Sequence, residues 1–501
     1  MSKREATAPF TIVSVDHTSP APLFRQLYEG LRAAILSGQL APGVRVPSTR
    51  ALSREVGVSR HTVLTAFDLL LDEGYVEGRR GAGTYIARIR PDAVAPERHG
   101  RGDPGHGRGT HSRRASALLA APVPTQPGLP RRDGPVAFRV GLPGLDVFPY
   151  TLWARLLARH WRRSGRHLLG YDDSAGYRPL REAIAAYLGA SRGVRCTPEQ
   201  VVVVAGAQQA VALAAQVLLD PGDAAWIPDP GPLGVRAALR AMGARLIPVP
   251  VDADGLDVAR GVARQAEARL VCVSPSHQFP LGATMSLDRR VALLDWAHGS
   301  DRWIVEIDEH SEFRYGSKPF AALQALDTGR RVIYAGTFSH LLFPTLRLGY
   351  LVAPSDLIDT FVAARRAADL YSPALEQAVL ADYIGGGYLA HHARQMREVY
   401  AHRQAVLVDA VARELGGVLD VRRAESGMHL VGWLVDGRDD QTAARHTIAH
   451  GVETQPLSSY AMETGLRGAL LLGYTAPNEA EINAGVRQLA AALATRGCTE
   501  R

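Results

Sequence analysis

The chain has 501 residues, 46% of them hydrophobic and 21% charged, with a formal charge of +7; that is room for one large domain with a full core plus a small one. No run of 18 apolar residues offers a membrane span, and the opening MSKREATAPF lacks the apolar stretch of an export signal. Three scattered cysteines (Cys196, Cys272, Cys498) make neither a disulfide framework nor a CxxC metal site. A cytoplasmic protein without a metal centre or membrane partner is expected. The charge is unevenly placed: residues 1–90 hold 12 Lys/Arg against 8 Asp/Glu, residues 91–132 hold 7 against 3, and the rest is nearly neutral. A basic head on a neutral body fits a polyanion bound by the head alone.

In chain order, Pro22–Ser37 carries Phe24, Leu27, Tyr28, Leu31 and Ile35 at helical spacing, with Gly38 suited to its end. Ser48 is placed to cap a helix to Val56, Gly57 to turn the chain, and Ser59 to cap the next helix. On that helix Val63, Ala66, Phe67 and Leu70 make one apolar stripe, leaving Arg60, His61 and Leu64 on another face. Tyr75–Glu77 and Thr84–Ala87 read as the strands of a hairpin around a basic, glycine-rich turn. Helix–turn–helix plus basic wing is a groove-docking geometry. Arg32 and Arg54 are expected on solvated helix faces. Residues 91–132, dense in Gly, Pro, Arg and His, have no period and read as a flexible tether, with a brief ordered chance at Ala115–Ala121.

From residue 133 short apolar runs alternate with helical stretches: Val201–Ala205, Ala224–Pro228, Leu246–Val251, Leu270–Ser274, Trp303–Asp308, Val332–Ala335 and Gly349–Val352. Continuously apolar strands between helices predict an α/β domain with a mostly parallel sheet buried on both faces. Val201–Val204 running through Gly206 into Ala207-Gln208-Gln209 is a strand entering a helix through glycine, a place where free N–H groups and the helix dipole bind an anion.

Two resemblances sharpen this. The pattern Pro47-Ser48-Thr49-Arg50, Val58-Ser59-Arg60-His61-Thr62-Val63, Glu73-Gly74-Tyr75 and Gly81-Ala82-Gly83-Thr84 resembles the GntR-family winged helix. It implies double-stranded operator DNA as partner, with Arg50, Ser59, Arg60, His61, Thr62, Arg80 and Gly81 at DNA-contacting positions. Arg331–Pro354 closely resembles the segment that holds pyridoxal phosphate in fold-type-I aminotransferases, and in particular in MocR-type transcription factors of the GntR superfamily. It implies a homodimer, an effector-sensing body, and a phosphate cup formed by Gly206, Ala207, Gln208, Thr337, Ser339 and Arg347.

The reacting groups depart from that pattern. The family's turn reads GTFSK and its lysine forms the Schiff base; here His340 follows Ser339, and imidazole offers no primary amine. The only lysines, Lys3 and Lys318, are poorly placed to replace it. Against the family's EDDYDSEFRY, Ile307 replaces the acid that pairs with the ring nitrogen, and Glu309 replaces a tyrosine. Asp308 could substitute only through a slipped strand register. Pro232 replaces a stacking tyrosine, and Leu471 the arginine that holds a substrate carboxylate. The expectation is therefore a DNA-binding transcription regulator with residues 1–90 as head, 91–132 as linker and 133–501 as a non-catalytic aminotransferase-like body. Pyridoxal phosphate is expected weakly held, non-covalent or not bound, with His340, Asp308 and Glu309 rebuilding the pocket. A regulator that binds the cofactor without a covalent bond, an active enzyme and a purely structural DNA-bridging protein are the alternatives.

Overall fold

The computed structural model describes residues 13–79, 83–87, 112, 115–116, 119, 137–163, 167–298, 301–315, 321–463 and 465–494. The chain falls into two compact units, residues 1–109 and 110–501. Nearly all of the expected tether lies outside the described residues; of its Ala115–Ala121 stretch, Ala115, Ser116 and Leu119 are helical.

The first unit holds helices α1 (Leu23–Leu36), α2 (Thr49–Val56) and α3 (Arg60–Asp72), then strands β1 (Val76–Arg79) and β2 (Gly83–Ile86), paired antiparallel. Local chemistry sets these ends. Ser48 Oγ accepts from Ala51 N at 3.3 Å, and Ser59 Oγ from Thr62 N at 3.1 Å, each satisfying an orphan donor of a first turn. Gly57 ends α2 at φ 74°, a left-handed conformation suited to glycine. Leu27, Leu31 and Ile35 of α1 meet Leu52, Val63, Phe67 and Leu70 in one apolar core. Arg32 departs from its expected solvated role. Its guanidinium lies over the Tyr75 ring, 5.2 Å from the centroid, and Nε donates to the Tyr75 hydroxyl at 3.0 Å, tying α1 to the start of the wing.

The second unit is built on an eight-stranded sheet of β3 (Val201–Val204), β4 (Ala224–Asp229), β5 (Arg245–Asp252), β6 (Gly255–Leu256), β7 (Leu270–Val273), β8 (Trp303–Asp308), β9 (Val332–Thr337) and β10 (Gly349–Val352), in the order β3-β10-β9-β8-β7-β4-β5-β6. Neighbours are parallel except at β10 and at the two-residue β6. All four valines of β3 are buried, as strands covered on both faces must be. Helix α4 (Ala207–Leu218) covers one face, packing Ala210, Val211 and Ala214 against Val305, Ile333 and Leu351. The other face, with Val201, Val203, Tyr334 and Tyr350, joins the core of the C-terminal part.

A second sheet, β11 (Leu419–Val421), β12 (His429–Leu434), β13 (Gln455–Pro456) and β14 (Ala469–Gly473), is antiparallel throughout. It was not anticipated. Two of its strands are only two and three residues long and β12 is interrupted by Gly432, so of the four only β14 offers a continuous apolar run.

Candidate functional site

On the head, the starts of α2 and α3 converge: Arg60 Nε donates to Thr49 Oγ1 at 3.4 Å. Arg50, Ser59, Arg60 and His61 are exposed there, and Thr62 is half-buried because its amide and hydroxyl engage the Ser59 cap. Arg54 donates to the Arg50 carbonyl at 3.2 Å. The wing supplies one cation that sequence reasoning missed. Arg45 bridges to Tyr85, and its Nε lies 3.0 Å from where a Gly83 Cβ would stand, so glycine lets the two chains touch. Its only sequence signal was an exposed charge before the Pro47-Ser48 cap. Arg79, by contrast, pairs with Glu77 at 2.7 Å and covers the Tyr85 ring. Arg80 and Gly81 lie outside the described residues.

In the body, the chain passes from β3 through Gly206 (φ 124°) into α4. A Cβ on Gly206 would stand 3.6 Å from Arg347 Nη2 and 3.7 Å from Thr337 Oγ1, so helix start, guanidinium and hydroxyl converge on one point. Ser339 N donates to Thr337 Oγ1 at 3.1 Å, while Ser339 Oγ is buried without a partner among the described residues. Arg347, held at φ 49° after the single turn Pro344–Leu346, is exposed. An uncapped helix start, an orphaned buried hydroxyl and an exposed guanidinium together suit a phosphate-sized anion.

Beside this cup lies a cavity of about 340 Å³, lined among others by Ala207, Gln208, Pro232, Ile307, Glu309, His310 and His340. The register of β8 against β9 is regular, with Ile307 opposite Ala335 and Asp308 opposite Gly336. Alternation then decides both side chains. Ile307 packs with Val305 and Ala335 on the α4 face. Asp308 borders the cavity, but its carboxylate turns the other way, accepting from Arg192 Nε at 2.9 Å and the Tyr334 hydroxyl at 2.5 Å. Asp308 thus stands at the cavity with its carboxylate already engaged by Arg192 and Tyr334. Glu309 is half-buried on the cavity wall and makes no hydrogen bond or ion pair among the described residues.

Four imidazoles form a continuous array on this wall. His340 stacks on His310 at 5.0 Å and 18°, His277 stands edge-on to His310 at 5.2 Å, and His429 stands edge-on to His277 at 5.6 Å. His277 Nδ1 meets Ser426 Oγ at 3.0 Å, and His429 Nε2 meets the Pro280 carbonyl at 2.7 Å. Nε2 of His277 and His310 and Nδ1 of His340 and His429 are buried without partners among the described residues. Burial holds His277 down to about 3, with the neighbouring His429 and Arg314 adding to it, and His310 and His429 are lowered for the same first reason. His277, His310 and His429 are therefore neutral at pH 7. Its ring geometry brings no metal-holding cluster among the described residues. His277 was visible in Pro275-Ser276-His277-Gln278; His310 and His429 gave no signal until the fold gathered them.

Pyridoxal phosphate fits this site at one end only. The cup suits its phosphate, but the wall offers imidazole and isoleucine where an amine and a ring-nitrogen acid would be needed. Leu471 sits in an apolar cluster with Leu233, Leu457 and Tyr460, and Lys318 lies outside the described residues.

Comparison with known proteins accords with the two-part fold. Residues 146–482 match the family aminotransferase class I and II, and residues 23–86 match bacterial regulatory proteins, gntR family. The chain is 40% identical to the probable rhizopine catabolism regulatory protein MocR of Rhizobium meliloti, over 96% of this chain and 95% of that one. It is 29% identical to the pyridoxine biosynthesis transcriptional regulator PdxR of Corynebacterium glutamicum, over 93% and 95%. Among solved structures, the α-aminoadipate aminotransferase LysN of Thermus thermophilus, complexed with N-(5'-phosphopyridoxyl)-L-leucine, superposes with a TM-score of 0.66 at 28% identity, covering 76% of this chain and 95% of that one.

Proposed function

Because this chain belongs to the MocR-like transcriptional regulators, in which a gntR-type head is joined to an aminotransferase class I and II body, we propose that its body recognises a small effector without transforming it. The head binds operator DNA through Arg50, Ser59, Arg60, His61 and Thr62, with Arg45 at the wing and with Arg80 and Gly81 of the basic, glycine-rich sequence between the two wing strands. The body carries the effector cavity and pairs with a second copy; Trp161 and Tyr171, 67% and 91% exposed, are apolar surface that such pairing would cover.

The observation that carries the non-catalytic reading is His340 at the end of the β9 turn, stacked on His310 where the family places its amine. Neither ring nitrogen can form a stable imine. Incubating the purified protein with pyridoxal phosphate and borohydride should leave its mass unchanged. A reduced adduct on any side chain, or turnover of an amino acid to its keto acid, overturns this reading.

A second reading has its own support in the orphaned Ser339 hydroxyl beside Thr337 and Arg347. The cup could hold the cofactor by its phosphate alone. Calorimetric titration with pyridoxal phosphate against inorganic phosphate separates the readings: equal affinity for both means that the cup recognises only the anion.

A further inference from the structure

We propose that the cavity takes a small organic ammonium ion that carries no carboxylate, seated against Glu309. This names the effector class of the sensing site and rests on that reading.

Four observations converge. Glu309 is a half-buried carboxylate on the cavity wall with no partner among the described residues, and a partly desolvated charge attracts its opposite. The described residues lining the cavity include neither lysine nor arginine; Arg347 faces Gly206, and Arg192 is engaged by Asp308. Three of the rings on the wall carry no charge: His277, His310 and His429 are held neutral by burial, so they do not repel a cation. Finally, Leu233 and Tyr460 line the cavity and pack with buried Leu471. A carboxylate brought there loses its water and gains no cation.

The full-length protein would be titrated calorimetrically with 4-aminobutan-1-ol, butane-1,4-diol and 4-aminobutanoate, which share a chain and differ in charge. The amino alcohol should bind about tenfold or more tightly than either other probe, the scale of one charge-assisted hydrogen bond. Glu309→Gln, checked for the parent's circular-dichroism spectrum, should abolish the preference over the diol. Equal binding of the diol, preference for 4-aminobutanoate, retained selectivity in E309Q, or binding of none of the three overturns the proposal. Operator affinity measured in parallel separates it from the sensing reading. Ammonium-selective binding that leaves DNA affinity unchanged supports the site and sinks the sensing role. A DNA response to the uncharged diol equal to that of the amino alcohol sinks the ammonium class and leaves sensing intact.

Discussion

Single side chains decide the chemistry of this body, and neighbours decide what each can do. Arg192 and Asp308 form an ion pair at 2.9 Å with both side chains almost fully buried, and Arg192 also holds Ser276 Oγ at 2.7 Å. Removing one partner strands the other's charge, so Arg192→Met should cost about 3–5 kcal/mol in urea unfolding. The double variant with Asp308→Leu should recover part of that loss, and a single variant as stable as the parent would contradict the account. The imidazole array predicts a pH dependence of definite sign. His277 titrates at about 3 when folded and at 6.5 when unfolded. Between those values the unfolded chain binds more protons, so stability rises with pH across the window; it is undiminished above 6.5 and is lost progressively below it. At pH 5 the loss from His277 alone is about 2 kcal/mol. Comparing unfolding at pH 7 and pH 5 for the parent and His277→Asn should show the smaller drop in the variant.

At the scale of elements, the cup is a product of close packing. A Cβ on Gly349, at the start of β10, would stand 2.6 Å from the Gly336 carbonyl oxygen and 2.8 Å from Gly206 Cα. Glycine there lets β10 wedge between β3 and β9, which brings Arg347, two residues before, to the start of α4. Gly349→Ala must push those strands apart. It should cost about 1–3 kcal/mol as an overpacked core site and weaken inorganic phosphate binding by calorimetry; unchanged phosphate affinity would separate the cup from this packing. The helix of Ala207–Leu218, the strands flanking it and the capped helices of the head were all legible from apolar runs, Ser caps and glycines. The antiparallel sheet of residues 419–473 was not, because its short strands depend on partners from distant sequence rather than on a local period.

Over the whole molecule, charge is sorted by unit. The head and linker carry the surplus of cations while the body is nearly neutral, so binding of a polyanion should be dominated by the head. Operator affinity of the full chain should fall steeply with salt, and Arg60→Ala should lower the slope of log affinity against log salt by about 1, as one lost phosphate contact does. An unchanged slope in a fluorescence-anisotropy titration would remove Arg60 from the interface. Among the described residues no helix is long and apolar enough to cross a membrane.

Sequence alone determined the class of protein and that His340 follows Ser339, because winged-helix spacing, strand-glycine-helix entry and the residue after Ser339 are local facts written in order along the chain. Only the tertiary structure decided which groups surround His340. The direction in which Asp308 points follows from sheet register, and the meeting of His277, His310, His340 and His429 joins residues up to 152 positions apart. Those are consequences of strand alternation and long-range packing, which no periodicity in a single chain records.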